Sequence, residues 1–448
     1  MEGIKKIPEV STFTFLRQAI SILNNPLPFH HKNFERYGDT FKLNLGFGNY
    51  AVFSRDAVLA EHVLQKHWKN YKKSPIQTKD LAKYLGKGLL TAEGDHWKRQ
   101  RKLIQPAFHK KHLESLVVTI KQTIVEELNQ LKEDVAFDVL PFFSNLAFKV
   151  VVKALFSNAA TDEEIKTLQD VTEENQQMLV KELRQPYLKW YFKSFGVIKK
   201  QLARTQASRD ILQDIIERRK QSKVQNNDLL DMLLGARYDD GSVMGNEQLI
   251  DEILVLFVAG HETTANALSF AVQLLAHHPE WQEKVADQHQ DILSQNPTVM
   301  EELLKSQLAK QLIEETLRLY PPAYFIDRVN IEPDVCHGYQ FKKGTNFLFS
   351  ILEIHKHPEL WESPEQFNPD RFSPEKAKHY TSHYFPFGAG PRKCIGNNFA
   401  MYEMTLAISE LLLRFSIHPT KQTIEINPLI TLKPKNANVI FKLKNSKV

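Results

Sequence analysis

The apolar positions of this chain keep a two-residue period in one short stretch near the N-terminus and a helical period through most of the remaining sequence. Over residues 41–55 the run FKLNLGFGNYAVFSR alternates apolar and polar side chains around Gly46 and Gly48-Asn49, which predicts a β-hairpin. Helical periodicity then runs through residues 97–108, 113–131, 142–155 and 197–219, the last preceded by a basic aromatic segment at 184–195. A polar break at 221–228 leads into another short helix. The longest helical stretch covers residues 246–277, with Ile250, Ile253, Leu254, Phe257, Leu268, Ala271, Leu274 and Leu275 on its buried face. At roughly 1.5 Å per residue, such a helix crosses a whole domain.

Further along, a helix over 306–320 is stopped by Pro321-Pro322, extended segments come at 323–330 and 339–351, and a proline-rich stretch fills 357–372. Helix resumes over 395–415, and a final pair of strands is expected within 423–443. No internal repeat or low-complexity linker interrupts the pattern. It predicts a single domain over residues 1–448, mainly α with small β-sheets.

Composition adds limits. With 42% hydrophobic and 25% charged residues, the chain has the make-up of a globular protein and can bury a large core. Its two cysteines, Cys336 and Cys394, argue against a disulfide framework and suit a reducing compartment, so a cytoplasmic location is expected. Residues 1–25 lack both a cleavable h-region and about 20 continuous apolar residues, so no signal peptide or membrane anchor is expected. A net charge of +5 is mild for this length and does not suggest nucleic acid.

The chemistry centres on Phe387-Gly388-Ala389-Gly390-Pro391-Arg392-Lys393-Cys394-Ile395-Gly396, a glycine-rich loop that delivers a cysteine to the start of an apolar helix. Backbone N–H groups at a helix N-terminus favour a thiolate, ready to attack or to ligate. A zinc site wants about four ligands, and no second Cys or His stands a few residues away. A phosphatase-like nucleophile wants an arginine six positions on, where Ala400 sits. An axial haem ligand fits position by position: Gly390 and Gly396 admit a flat macrocycle, Phe387 can shield the sulfur, and Arg392 can reach a propionate.

Phe-x-x-Gly-x-Arg-x-Cys-x-Gly, complete here, resembles the haem-binding signature of the cytochrome P450 family. The segment Ala259-Gly260-His261-Glu262-Thr263-Thr264 in the long helix is similar to that family's Ala/Gly-Gly-x-Asp/Glu-Thr-Thr. The resemblance implies that Glu262 and Thr263 manage protons, with Gly260 leaving room for the ring. The bland alternative is a Thr263 bonded back to the preceding turn, with Glu262 at the surface. His261 is given no chemical role. Glu315 and Arg318 in Glu-Thr-Leu-Arg, with Arg371 in Phe-Asn-Pro-Asp-Arg-Phe, look like the family's structural ion network beneath the haem loop.

By the same resemblance, Trp97, Arg101, Arg328 and His355 contact haem propionates, and Leu256, Phe257, Ala259, Tyr324, Phe325 and Leu429 line a hydrophobic pocket. The implied fold is a helical prism with the long helix over a non-covalent, thiolate-ligated haem b, so Trp97 and Cys394 meet at one cofactor. The style of the motifs looks like the fatty-acid hydroxylase branch and its soluble bacterial relatives. Some members carry a haem-esterifying glutamate where this chain has Ala259. The implied reaction is insertion of one atom of O2 into a lipid-like or terpenoid molecule. The other readings are a peroxide-driven oxygenase and a non-catalytic haem-thiolate sensor. No fused reductase is expected, so electrons come from an external ferredoxin or flavodoxin with its reductase. A basic patch of Lys98, Arg99, Lys102, Lys110, Lys111 and Lys393 is the expected docking face.

Overall fold

The alternating run near the N-terminus forms the expected pair of strands. Thr40–Gly46 runs antiparallel to Asn49–Ser54, with Phe41 opposite Phe53 and Leu43 opposite Ala51. The structure, a computed structural model, describes residues 5–46, 49–222 and 224–444, so Gly48, placed at the tip of the hairpin by sequence, lies outside the described residues. Two compact units are present, each assembled from separate stretches of chain.

The first unit comprises residues 1–75, 314–394 and 426–433. Its framework is a six-stranded sheet in the order Glu9–Val10, Thr40–Gly46, Asn49–Ser54, Asn346–Ser350, Phe325–Asn330, Tyr71–Lys72. The expected extended segment 339–351 divides in two. Asn346–Ser350 joins this sheet, while Tyr339–Phe341 pairs with Asp334–Cys336 in a separate ribbon. Alternate residues of the central strands, Val52, Phe347 and Phe349, point into a core shared with Leu59, Val63 and Ile354. Helices Thr12–Asn24 and Leu27–Tyr37 precede the hairpin.

The second unit, residues 76–313, 395–425 and 434–448, is mainly helical. Its spine is the long helix Asn246–Ala276, packed against Val139–Phe156, with Phe257 set between Phe148 and Phe156 at ring separations of 5.2 and 6.1 Å. Both helices are long and apolar enough to cross a membrane. Yet 72% and 61% of their apolar windows lie inside the protein, as in core helices. Helices Asp162–Arg184, Pro279–Leu293 and Val299–Lys305 were not expected from apolar periodicity. The first and third open on capping boxes, Thr161 with Glu164 and Thr298 with Glu301.

The C-terminal pattern differs from expectation as well. Three strands, not a pair, form within residues 423–443: Glu425–Pro428 pairs with Leu432–Lys435, and Asn438–Leu443 lies between Phe415–Pro419 and Ala136–Asp138. Phe415 ends the preceding helix by entering the sheet opposite Leu443.

Candidate active site

Cys394 ends a loop whose shape is set by backbone hydrogen bonds. Gly388 N donates to Phe385 O at 3.0 Å, Lys393 N to Gly390 O at 3.0 Å, and Cys394 N to Phe387 O at 2.9 Å. Gly388 and Gly390 have φ of +71° and +66°, the left-handed region that side chains disfavour. A Cβ on Gly390 would stand 2.2 Å from Leu64 O, so this loop seats directly on the backbone of the π-helical turn His62–Lys66. Gly390 therefore serves the loop's own packing. Gly396, at φ −90°, has only a Phe108 ring carbon within reach of a Cβ, at 3.9 Å.

The loop leaves Cys394 exposed, while Cys336 is half-buried. Burial, helped by the Asp56 and Asp334 charges, pushes the Cys336 thiol up to about 11, which makes it inert at neutral pH. Among the described residues, the clusters with metal-ligand spacing are His62–His67–Asp334 and His289–Glu302–Glu410; neither includes Cys394.

Beneath the loop, the structure brings Glu315, Arg318 and Arg371 together as expected. Arg318 grips Glu315 with two parallel bonds, Nε to Oε2 at 2.7 Å and Nη2 to Oε1 at 2.8 Å, and both side chains are fully buried. The remaining Arg318 donors reach the carbonyls of His355 at 2.9 Å, Pro364 at 2.7 Å and Gln366 at 3.1 Å. Arg371 adds a 3.5 Å ion pair to Glu315 and donates to Ser363 O at 2.9 Å.

His355 takes a different place from the one expected. Its Nε2 accepts the Phe385 amide at 2.8 Å, and the ring packs against Trp361 and Tyr384. Burial, with the nearby Arg318 charge, pushes its pKa down to about 3. A neutral imidazole enclosed on all sides by protein cannot contact a propionate. It is a strut that joins the arginine network to the loop two residues before Phe387.

In the same unit, Arg328 lies in the strand Phe325–Asn330 opposite Phe347, mostly buried, with Nη1 donating to Asp327 O at 2.6 Å. Arg392 is half-buried in the short turn Gly390–Arg392. Tyr324 and Leu429, both expected in the pocket, are joined by a 2.7 Å bond from the Tyr324 hydroxyl to Leu429 O, and Phe325 packs against Tyr324 and His30.

In the second unit the long helix is buried along most of its length, but residues 256, 258–260 and 263 keep access to solvent in its middle, and Ala259 is exposed. Leu256, Ala259, Gly260 and Thr263 follow the three-and-four spacing of a single helical stripe. Thr263 Oγ1 donates to Ala259 O at 2.7 Å, the back-bonding alternative, although Glu262 is buried and not at the surface. Phe257 is enclosed between the two core helices, so it is a core residue and not a pocket wall. A Cβ on Gly260 would meet Val151 Cγ2 at 3.0 Å, so this glycine also admits the neighbouring helix. His261, buried and bonded to the Ser144 hydroxyl at 2.7 Å, is structural.

Trp97 and Arg101 lie one turn apart on helix Gly94–Ile104, whose N-terminus is capped by Glu93; Trp97 is buried and Arg101 half-buried. The expected basic patch on this helix is neutralised. Lys98 pairs with Asp95 at 2.8 Å, Arg99 with Asp240 at 2.7 Å, and Lys102 with Asp239 at 2.6 Å. Sequence reasoning also missed a buried network drawn from four helices, in which Lys121 bridges Glu302 at 2.6 Å and Glu410 at 3.0 Å beside His289. Burial raises the Glu410 pKa, but His289 and the Lys121 ammonium outweigh it and bring it to about 2. No local motif announces this group.

These residues fit a thiolate-ligated haem. In the first unit a solvent-accessible cysteine ends a braced glycine loop two residues after Arg392, and in the second the long helix bears an accessible stripe that ends in a hydroxyl. A sequence profile described as Cytochrome P450 matches residues 5–441. Cytochrome P450 4d2 of Drosophila melanogaster is 29% identical over 425 residues, covering 88% of this chain and 84% of that protein. Pentalenene oxygenase of Streptomyces avermitilis is 27% identical, with 89% and 88% covered, and echinocystic acid 23-monooxygenase of Saponaria officinalis is 29% identical, with 82% and 75% covered.

Proposed function

The chain belongs to the cytochrome P450 family, and from that premise we propose that it inserts one oxygen atom of O2 into a C–H or C=C bond of a lipid-like or terpenoid molecule. It is an oxidoreductase of the monooxygenase class, with haem b held by a cysteine thiolate. The observation that carries the assignment is the exposed Cys394 at the end of a loop braced through Phe387 O, Leu64 and the Arg318 network. Bound there, haem supplies the activation of dioxygen, and electron donation from the sulfur favours O–O cleavage.

The protein's own contribution is position and proton control. Arg328, Arg392, Trp97 and Arg101 are the residues assigned to the propionates. Thr263, whose hydroxyl hydrogen is held by Ala259 O, presents acceptor lone pairs to the stripe, and it donates only after turning away from that carbonyl. The buried Glu262 beside it is the acid that resupplies protons. Leu256, Ala259, Tyr324, Phe325 and Leu429 favour an apolar substrate. The relatives named for pentalenene and echinocystic acid support the same class.

Electrons come from an external ferredoxin or flavodoxin and its reductase. With Lys98, Arg99 and Lys102 paired, the exposed Lys110 and Lys111 are the better docking cations. The test is turnover of a terpenoid and fatty-acid panel under labelled O2 with a surrogate ferredoxin system, run beside peroxide alone. Label from O2 in the product supports the proposal. Turnover only with peroxide, or substrate binding without product in either assay, overturns it.

A further inference from the structure

The short helix Ala57–Glu61 runs on into the π-helical turn His62–Lys66, and that turn sets two imidazoles face to face. In an α-helix, side chains five positions apart point in directions about 140° apart and do not meet. The wider turn here is closed by a bond from His67 N to His62 O at 2.8 Å. It stacks the two rings, with centroids 4.0 Å and planes 18° apart. Single π-helical turns are rare and gather at functional sites.

A carboxylate completes the group. Asp334, in the strand Asp334–Cys336, sets its Oδ2 2.9 Å from His62 Nε2. The same oxygen accepts the Tyr71 hydroxyl at 2.6 Å, and Oδ1 accepts the Val335 amide at 2.8 Å, so the carboxylate is held in place from behind. One ligand atom from each of His62, His67 and Asp334 lies within 4.8 Å of the others. The His62 and Asp334 side chains are 13 and 12% exposed while His67 is exposed, which leaves one side open for entry. Lys66, the cation of the same turn, is drawn off to Glu61 at 2.7 Å. The buried His289–Glu302–Glu410 cluster differs, because Lys121 already holds both of its carboxylates.

We propose that His62, His67 and Asp334 bind a divalent first-row transition metal, separate from the haem iron. Two imidazoles and one carboxylate suit Zn2+ and its neighbours, whereas Ca2+ and Mg2+ want about six or more oxygens. Ligands about 2.0–2.2 Å from a tetrahedral zinc are about 3.3 Å apart. His62 Nε2 and Asp334 Oδ2 therefore part slightly as the metal replaces the proton between them. The exposed His67 ring tilts out of the stack to aim its nitrogen, and water takes the fourth position. The turn so clamped is the seat of the haem loop: a Cβ on Gly390 would stand 2.2 Å from Leu64 O and 2.9 Å from Gln65 Cα. The ion thus ties the ribbon strand of Asp334 to the support of Cys394.

The test is equilibrium dialysis of the untagged, haem-loaded full chain against Zn2+, with zinc and iron counted in the same sample by elemental analysis. One zinc per haem iron is expected, undisturbed by excess Mg2+ or Ca2+. His67→Ala, a change at the surface, and His62→Phe, which keeps a stacked ring, should each weaken zinc binding at least about tenfold. Unchanged haem absorbance certifies each fold, and His67→Ala alone decides the question. Failure of the parent protein to retain zinc overturns the proposal, as does displacement of the zinc by Mg2+ or Ca2+. Zinc held as tightly by His67→Ala as by the parent also overturns it, because the ion then sits on other donors.

Discussion

Gly390 and Gly260 both sit in motif segments, yet they are held in different ways. Gly390 has φ +66°, with Leu64 O where its Cβ would fall, and the loop around it is stabilised from below by Glu315, Arg318, Arg371 and His355. Gly260 lies in a regular helix, where a Cβ would press on one buried Val151 methyl at 3.0 Å and on no backbone atom of another element. The cysteine is thus presented by a conformation that the chain adopts only with tertiary support. The hydroxyl of Thr263 is presented by ordinary helix geometry. Changes beneath the loop should therefore cost stability and cofactor, and changes on the stripe should alter chemistry while sparing the fold.

The largest effect expected is from Arg318→Ala, which strands the buried Glu315 carboxylate and the carbonyls of His355, Pro364 and Gln366. A loss of roughly 3–5 kcal/mol is expected, with little haem retained, by urea unfolding and absorbance. Next, Gly390→Ala should cost roughly 2–3 kcal/mol from left-handed strain and the clash with Leu64 O. Gly260→Ala should cost less, about 1 kcal/mol, because its Cβ presses on one methyl at 3.0 Å and not on a carbonyl at 2.2 Å, and alanine favours helix. Equal costs for the two glycines would dissolve the contrast.

Acid sharpens it further. His355 is neutral in the fold with a pKa of about 3, against an ordinary value near 6.5. Its contribution is complete above about 6.5 and is lost as pH falls toward 3, because the unfolded chain takes the proton first. Roughly 2 kcal/mol should go by about pH 5. His355→Gln should flatten that arm of the stability profile; an unchanged profile would remove His355 from the support. The Lys121–Glu410 network acts lower, between the ordinary carboxylate range and about 2. The smallest effect on stability is expected from Thr263→Ala. Haem spectrum and melting point should be nearly unchanged while reducing equivalents divert to peroxide, measured as product formed per NADPH consumed.

Legibility in the sequence followed the same division. The Cys394 loop and the Glu315–Arg318 pair were readable because their partners are close in sequence or have fixed identities. The long helix was readable because 31 residues keep one period. Phe257 was read both as part of the buried face and as a pocket wall, and the structure keeps only the first, since this helix is apolar on most faces and adjacent positions compete for the pocket. Helix Asp162–Arg184 is too polar to show by apolar periodicity, though its Thr161–Glu164 capping box was a usable signal. Asn438–Leu443 finds one partner strand some 300 positions upstream, at Ala136–Asp138, and the Lys121 network gathers four helices. Such long-range pairings leave no local trace. The Asp239 and Asp240 partners of Lys102 and Arg99 were hidden for the same reason.

Assignment of the iron ligand to Cys394 is directly testable, because the chain has two cysteines. The measurement is the carbon monoxide difference spectrum of the reduced protein, compared among the parent chain, Cys336→Ser and Cys394→Ser. The red-shifted Soret band of a thiolate-bound carbonyl complex is expected in the parent and in Cys336→Ser, and not in Cys394→Ser. Retention of that band in Cys394→Ser, or its loss in a folded Cys336→Ser protein, would rule out Cys394 as the ligand.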